Sequence, residues 1–233
     1  MERVLAVQVP VRDALHSVRV TVLDGAVVSD MFGLTDAEFR TLKRMDSPRK
    51  IQDFLESIPI NFKEESCMSP RRVLREGRAQ CVEGALLAAL ALRIQGHPPL
   101  LLDLATAPHD FDHVVAPFKQ HGRWGAISKT NHPVLRYREP VYRDIRELVM
   151  SYFHEYFDDE GKKTLRSFSK PINLSMFDAN GWMTDEEDLW YLIDHLFKTP
   201  HTPILSRAQI ATLRRADPLE RKASALTEWK RKM

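Results

Sequence analysis

The sequence predicts an α+β fold in which one apolar helix packs on an antiparallel sheet, with further helices added at both ends. Three observations predict it. An Ala/Leu-rich run begins at Cys81 and stops at Gly96. A short apolar strand and a hairpin follow, and helical periodicity with clear start signals flanks both sides. At 233 residues the chain is long enough for a sizeable core, and it reads as a single domain over 1–233.

The N-terminal part, 1–66, reads as an extension. Residues 1–34 hold short Val-rich runs, notably Val18 to Leu23 before Asp24-Gly25, which alternate like a strand ending in a turn. This segment is either an added edge or an extended arm. From Thr35 the pattern turns helical. Ser47-Pro48 supplies an N-cap and first-turn pair, and Ile51, Phe54, Leu55 and Ile58 keep helical spacing until Pro59. Ser69-Pro70 repeats the device, opening a short helix that Gly77 ends. Arg71, Arg72, Arg75 and Arg78 make this stretch locally basic, either as a solvated face or as a recognition site for carboxylates.

The short helix delivers Cys81 to the start of the next one. Unsatisfied N–H groups in a first helical turn favour a thiolate and can hold an oxyanion. On a 3.6-residue helix Cys81 shares a stripe with Gly84, Ala85, Ala88 and Leu92, a face small enough for close approach of a sheet. A lone cysteine on such a helix also fits a small core residue.

Pro99 to Leu104 is a buried-strand run, and Asp112–Phe118 with Trp124–Ser128 flank a His121-Gly122 turn. With Gln120 opposite Arg123, Val115 faces Ser128 and His113 faces Thr130. Alternation then sets His113 and Val115 on one face with Trp124, Ala126, Ser128 and Thr130. If that face packs on the small-residue stripe, thiol and imidazole meet. Asp112 points to the other face, and His109 and Asp110 belong to the entering loop, either solvated or facing substrate.

After the hairpin, Arg136–Pro140 reads as a loop and Tyr142–Phe157 as an aromatic-rich amphipathic helix. Residues 162–183 lack periodicity and read as a connecting loop or a lid. Thr184 with Glu187 forms a capping-box pattern for a helix through Leu189 to Phe197. Ser206 and Asp217-Pro218 open two more short helices before a basic tail at Trp229-Lys230-Arg231-Lys232.

Composition narrows the function. A net charge of +2 gives no argument for nucleic acid or membrane binding, and no run reaches the roughly 20 apolar residues of a membrane span. Two cysteines, Cys67 and Cys81, are no disulfide framework, and the Met1–Val7 apolar run is too short for a signal peptide. The expected location is the reducing cytoplasm. Of the nine histidines, among them His109, His113, His121, His132, His195 and His201, only His109 and His113 are spaced His-x-x-x-His, and they fall on a loop and the strand it enters, not on one face of a helix. With no Cys-x-x-Cys or phosphate-binding glycine motif either, no metal or other cofactor is expected.

Taken in order, Gly77-Arg78-Ala79-Gln80-Cys81, Leu92-Arg93-Ile94-Gln95-Gly96-His97-Pro98, Asp112-His113-Val114-Val115 and Trp124-Gly125-Ala126-Ile127-Ser128 resemble the transglutaminase-like, papain-related cysteine hydrolase superfamily. The likeness covers about 69–131 and is nearest to bacterial members whose substrates are not assigned. It leaves 134–233 as a helical C-terminal extension. The resemblance implies a papain-like core, Cys81 as nucleophile and His113 as general base. It also implies an oxyanion site at the Cys81 backbone, with Gln80 as a second candidate donor, and Trp124 as a candidate for substrate binding. Where the family carries an acidic residue this chain has Ser128, so the third member is Ser128 or Asn131. The implied chemistry is thiolate attack on an amide or ester carbonyl of a peptide, protein or small amide. The thioester then passes to water, as in a peptidase or amidase, or to an amine, as in a transglutaminase. A non-catalytic peptide- or protein-binding module on the same fold is the alternative.

Overall fold

The computed structural model describes residues 20–23, 26–29, 32–63 and 66–230. The Met1–Val7 run, the Asp24-Gly25 turn and the last residues of the basic tail lie outside them. Within the N-terminal arm, β1 (Val20–Leu23) pairs antiparallel with β2 (Ala26–Ser29).

Four helices follow, each starting where the sequence placed a signal. Thr35 caps α1 (Asp36–Arg44) through a reciprocal pair with Glu38. Ser47 and Ser69, each followed by proline, cap α2 (Pro48–Ser57) and α3 (Pro70–Glu76). Gly77 closes α3 with a φ of +61°, a conformation that favours glycine. α4 (Cys81–Ile94) then runs through the interior, buried from Val82 to Arg93.

The sheet has seven antiparallel strands: β3 (Leu100–Thr106), β4 (His113–Gln120), β5 (Arg123–Ile127), β6 (Arg138–Tyr142), β7 (Leu165–Ser169), β8 (Ile172–Asn173) and β9 (His201–Pro203). Their order is β6-β5-β4-β3-β7-β9, with β8 also paired to β3. The β4–β5 turn has φ of +50° at His121 and +76° at Gly122, as a two-residue type I′ turn requires. Gln120 pairs with Arg123, the register read from the sequence.

Alternation divides the core between the two sheet faces. Leu101, Val114, Ala116, Phe118 and Ile127 pack with α4 on one face. On the other, Leu102, Leu104, Val115 and Ala126 pack with Leu148, Val149 and Tyr152. His113 and Ser128 keep the parity of Val115 and Ala126, so their face is not the one on which α4 lies. The expectation that α4 covers the His113 face is thereby corrected: the large apolar side chains at even β4 positions fill the space under α4. Close approach does occur at Gly84, where an added Cβ would stand 2.5 Å from Cβ of Lys129.

The C-terminal part differs most from expectation. Arg138–Tyr142 is the edge strand β6, and Pro140 falls where its register with β5 shifts between the Ala126–Arg138 and Trp124–Tyr142 pairs. The helix expected over Tyr142–Phe157 shortens to α5 (Ile145–Met150), capped by Asp144, followed by a 3-10 turn at Phe153–Glu155. Residues 162–183, read as irregular, instead hold two strands and a 3-10 segment. β7 lies beside β3 with Leu165 and Phe168 buried, and a 3-10 segment spans Leu174–Asn180. Leu165 and Phe168 are spaced by three, which hides the strand's period of two.

α6 (Trp190–Lys198) begins later than the Thr184–Glu187 pattern, because Asp185 rather than Thr184 accepts the Glu187 N–H and Asp188 binds Arg72 and the Cys67 N–H. Ser206 and Asp217 cap α7 (Arg207–Ala211) and α8 (Pro218–Ser224) as expected. The 134–233 segment is therefore mixed, supplying four strands of the sheet. Among the described residues no helix is long and apolar enough to cross a membrane.

Candidate active site

The N-terminal turn of α4 is built around a buried carboxylate. Glu83 accepts from the Gln80 N–H at 2.7 Å, Ser66 Oγ at 2.8 Å, the Met68 N–H at 3.1 Å and Asn61 Nδ2 at 3.1 Å. These bonds tie the segments before α3 and α4 together and fix where Cys81 starts its helix. The Gln80 side-chain amide donates to the Lys63 carbonyl, so it is engaged with the chain's own backbone.

Cys81 is a free cysteine and only partly buried as a residue. Burial of its thiol is the main influence raising its pKa; the Glu83 and Asp103 carboxylates add to it, and the Val114 and Val82 backbone N–H groups oppose it. Val114 follows His113 on β4, so the thiol lies at the start of that strand. No hydrogen bond joins the thiol to the imidazole among the described residues. Cys67 is buried, and its thiol is pushed up to about 12, mainly by burial.

His113 and Ser128 are brought together. His113 Nε2 lies 2.7 Å from Ser128 Oγ, and that hydroxyl lies 2.5 Å from the Leu135 carbonyl oxygen. A carbonyl only accepts, so the Ser128 proton goes to Leu135, and His113 Nε2–H must donate to Ser128. In the neutral ring Nδ1 is then the basic nitrogen. Burial holds the imidazole down to about 4. The pair at rest is an uncharged thiol and an uncharged ring.

Ser128 is itself clamped. Gln52 on α2 donates from Nε2 to the Ser128 carbonyl at 2.8 Å and accepts the Ser128 N–H at 3.0 Å. Next to it Lys129, buried, donates Nζ to the Leu55 and Ile58 carbonyls at 2.8 and 2.6 Å, closing the C-terminal end of α2. The sequence reading missed Gln52. Its signal is a polar side chain beside Ile51 on the buried stripe of α2.

Other candidates fall elsewhere. Asn131 spends its side chain on the Trp229 backbone, with bonds of 3.0 and 2.8 Å, and so does not hold His113. Trp124 stands at the hairpin end of β5, four residues or roughly 13 Å along the strand from Ser128, with the Lys119 ammonium 5.6 Å from its ring centre. His109 pairs with Asp158, and Asp110 accepts from Thr164 Oγ1 at 2.5 Å. All four arginines of the basic stretch are paired: Arg71 with Glu38, Arg72 with Asp188, Arg75 with Glu186 and Arg78 with Glu76.

Two further groups near the thiol were not read from the sequence. The Tyr156 phenol donates to the Phe111 carbonyl at 2.7 Å; burial raises it most, with Cys81 among the charges that add to the rise. Asp103 on β3 is fully buried and contacts His201 Nε2 at 3.0 Å. A single aspartate inside Leu100–Leu104 was its signal. Among the described residues no group of three or more His, Cys, Asp or Glu side chains is placed to hold a metal ion.

The arrangement offers a thiol at a helix start, an imidazole with a defined basic nitrogen one residue from a backbone N–H at that thiol, and a hydroxyl that orients the ring. Comparison with protein-family models finds no match, and comparison with curated proteins finds none either.

Proposed function

We propose that the chain is a cysteine-dependent amide or ester hydrolase with a papain-like, transglutaminase-like arrangement of nucleophile and base. The observation that carries this reading is the relay from the Leu135 carbonyl through Ser128 to His113 Nε2, which leaves Nδ1 as the base. Ser128 takes the orienting role usually given to a carboxylate or an amide.

In this reading the His113 ring meets the thiol at the start of β4, beyond the edge of the α4 face, and the Cys81 proton passes to His113 Nδ1 as the sulfur bonds to the substrate carbonyl carbon. The oxyanion is held by backbone N–H groups at the start of α4. Collapse breaks the bond to the amine or alcohol, which takes the proton from His113. A water, giving a proton back to the ring, then cleaves the thioester and frees the thiol. Peptides, proteins or small amides are the substrate class. A free thiol is required, which fits a reducing compartment.

The test is trapping of the acyl-enzyme. On mixing with p-nitrophenyl acetate, one acetyl group should appear on the peptide containing Cys81, be released by hydroxylamine, and be absent in Cys81→Ser. Acetylation distributed over lysines, with none on Cys81, refutes the reading.

A second reading is favoured by the electrostatics. Burial shifts both thiol and imidazole toward their neutral forms, which suits a binding module on the same fold that does no chemistry. Such a protein would bind peptide equally well as Cys81→Ala and form no thioester.

A further inference from the structure

On the α4 side of the sheet, a row of residues apart from Cys81, His113 and Ser128 leads across the strands to Val114, whose backbone N–H lies at the thiol. Asp103 pairs with Val114 on β4, its N–H donates to Ser169 Oγ on β7 at 3.0 Å, and Ser169 pairs with His201 on β9. Leu101, two residues before Asp103, packs in the core shared with α4, so Asp103 lies on the α4 face. His201 reaches across β7 to place Nε2 3.0 Å from Asp103 Oδ2.

The proton count follows from the second ring nitrogen. His201 Nδ1 is 2.7 Å from the Thr199 carbonyl oxygen, an acceptor only, so Nδ1 carries hydrogen. If Nε2 carried none and Asp103 were ionised, a lone pair would face a carboxylate. One proton must therefore sit between them, on Asp103 or on His201. Asp103 Oδ1 is buried without a hydrogen-bond partner among the described residues. An ionised carboxylate with an unpaired oxygen costs more in such a place than a neutral acid.

We infer that Asp103 and His201 hold one proton between them, and that its loss to solvent puts a negative charge beside Cys81 that keeps the nucleophile in its unreactive thiol form. The inference rests on the reading of Cys81 as nucleophile. The groups that act on Asp103 are His201 from β9 and Asp112 from the segment before β4; Cys81 and Tyr156 are the further titratable groups within its field. Burial pushes the Asp103 carboxyl up to about 6, nearer neutral pH than a free carboxyl. Asp103 is in turn one of the charges that raise the Cys81 thiol. The device penalises thiolate formation once the shared proton has left.

The test is the rate of iodoacetamide alkylation at Cys81 against pH, resolved by peptide mass, in the full chain and in Asp103→Asn and His201→Leu. Asp103→Asn removes the charge. His201→Leu removes the partner that favours the carboxylate, so Asp103 stays neutral to higher pH. Both should move the Cys81 profile down by about one pH unit, or about tenfold faster alkylation at pH 7.5. The second variant carries the test if the first does not fold. Folded variants whose Cys81 profile matches the parent chain, or is slower, overturn the inference. Failure of the hydrolase reading is separate: no acetyl-Cys81 forms in the parent chain, whatever Asp103→Asn does to alkylation.

Discussion

Gly84→Ala should destabilise the protein even though alanine is the better helix former. Inside α4 the exchange gains about 1 kcal/mol of helix propensity. Against it, the new methyl would stand 2.5 Å from Cβ and 3.2 Å from Cγ of Lys129. These atoms are not the free end of a flexible chain, because Lys129 Nζ is pinned to the Leu55 and Ile58 carbonyls. Relief requires α4 and the end of β5 to separate by roughly 1 Å, an overpacking cost near the upper part of the 1–3 kcal/mol range. The net loss is about 2 kcal/mol, or roughly 4–8 °C in Tm for a chain of this size. The assay is thermal unfolding followed by circular dichroism, with Ala85→Gly as the propensity control. A Tm equal to or above that of the parent would refute the close packing of α4 on Lys129. Because Ser128 precedes Lys129, the same shift should slow Cys81 chemistry.

Further expectations follow from the buried charges and caps. Glu83→Ala leaves the Gln80 and Met68 N–H groups without their acceptor, while the Ser66 hydroxyl and the Asn61 amide keep the Lys63 carbonyl and Ser66 Oγ, and should cost about 2–6 kcal/mol, read as loss of cooperative urea unfolding, with Glu83→Gln milder. Lys129 has its pKa lowered to about 8, mainly by burial. The unfolded chain binds more protons than the folded one between pH 8 and 10, so stability from this group should rise across that window; Lys129→Met should abolish the rise in urea titrations. His113, held down to about 4, favours folding fully above pH 6.5 and loses that contribution as pH falls toward 4. His113→Phe should therefore unfold at lower pH than the parent, monitored by tryptophan fluorescence. Asp103, pushed up to about 6, works the other way: its contribution falls as pH rises from 4 to 6, so Asp103→Asn should raise Tm at pH 7.5 more than at pH 4.5.

What was legible in the chain is what local chemistry decides. Ser47-Pro48, Ser69-Pro70, Ser206 and Asp217-Pro218 each start a helix, and His121-Gly122 turns the hairpin in the register that alternation demands. The pairing of His113 with Ser128 follows from that register. Distant pairing decided the rest. β7 reads as irregular because its neighbours β3 and β9 come from far along the chain, and β9 is only three residues long. The face on which α4 lies was set by which β4 positions carry the bulk, Val114 and Phe118 rather than His113. Gln52 and Leu135, which fix Ser128, act through a helix and a loop that no local pattern links to it.

The most direct measurement is the pH dependence of Cys81 alkylation by iodoacetamide in the parent chain and in His113→Ala, with buried Cys67 as the internal control. With His113 Nδ1 as the base, the substitution should slow Cys81 by about a hundredfold at pH 7.5 and leave Cys67 unchanged. Equal rates in the two proteins would contradict a working Cys81–His113 pair.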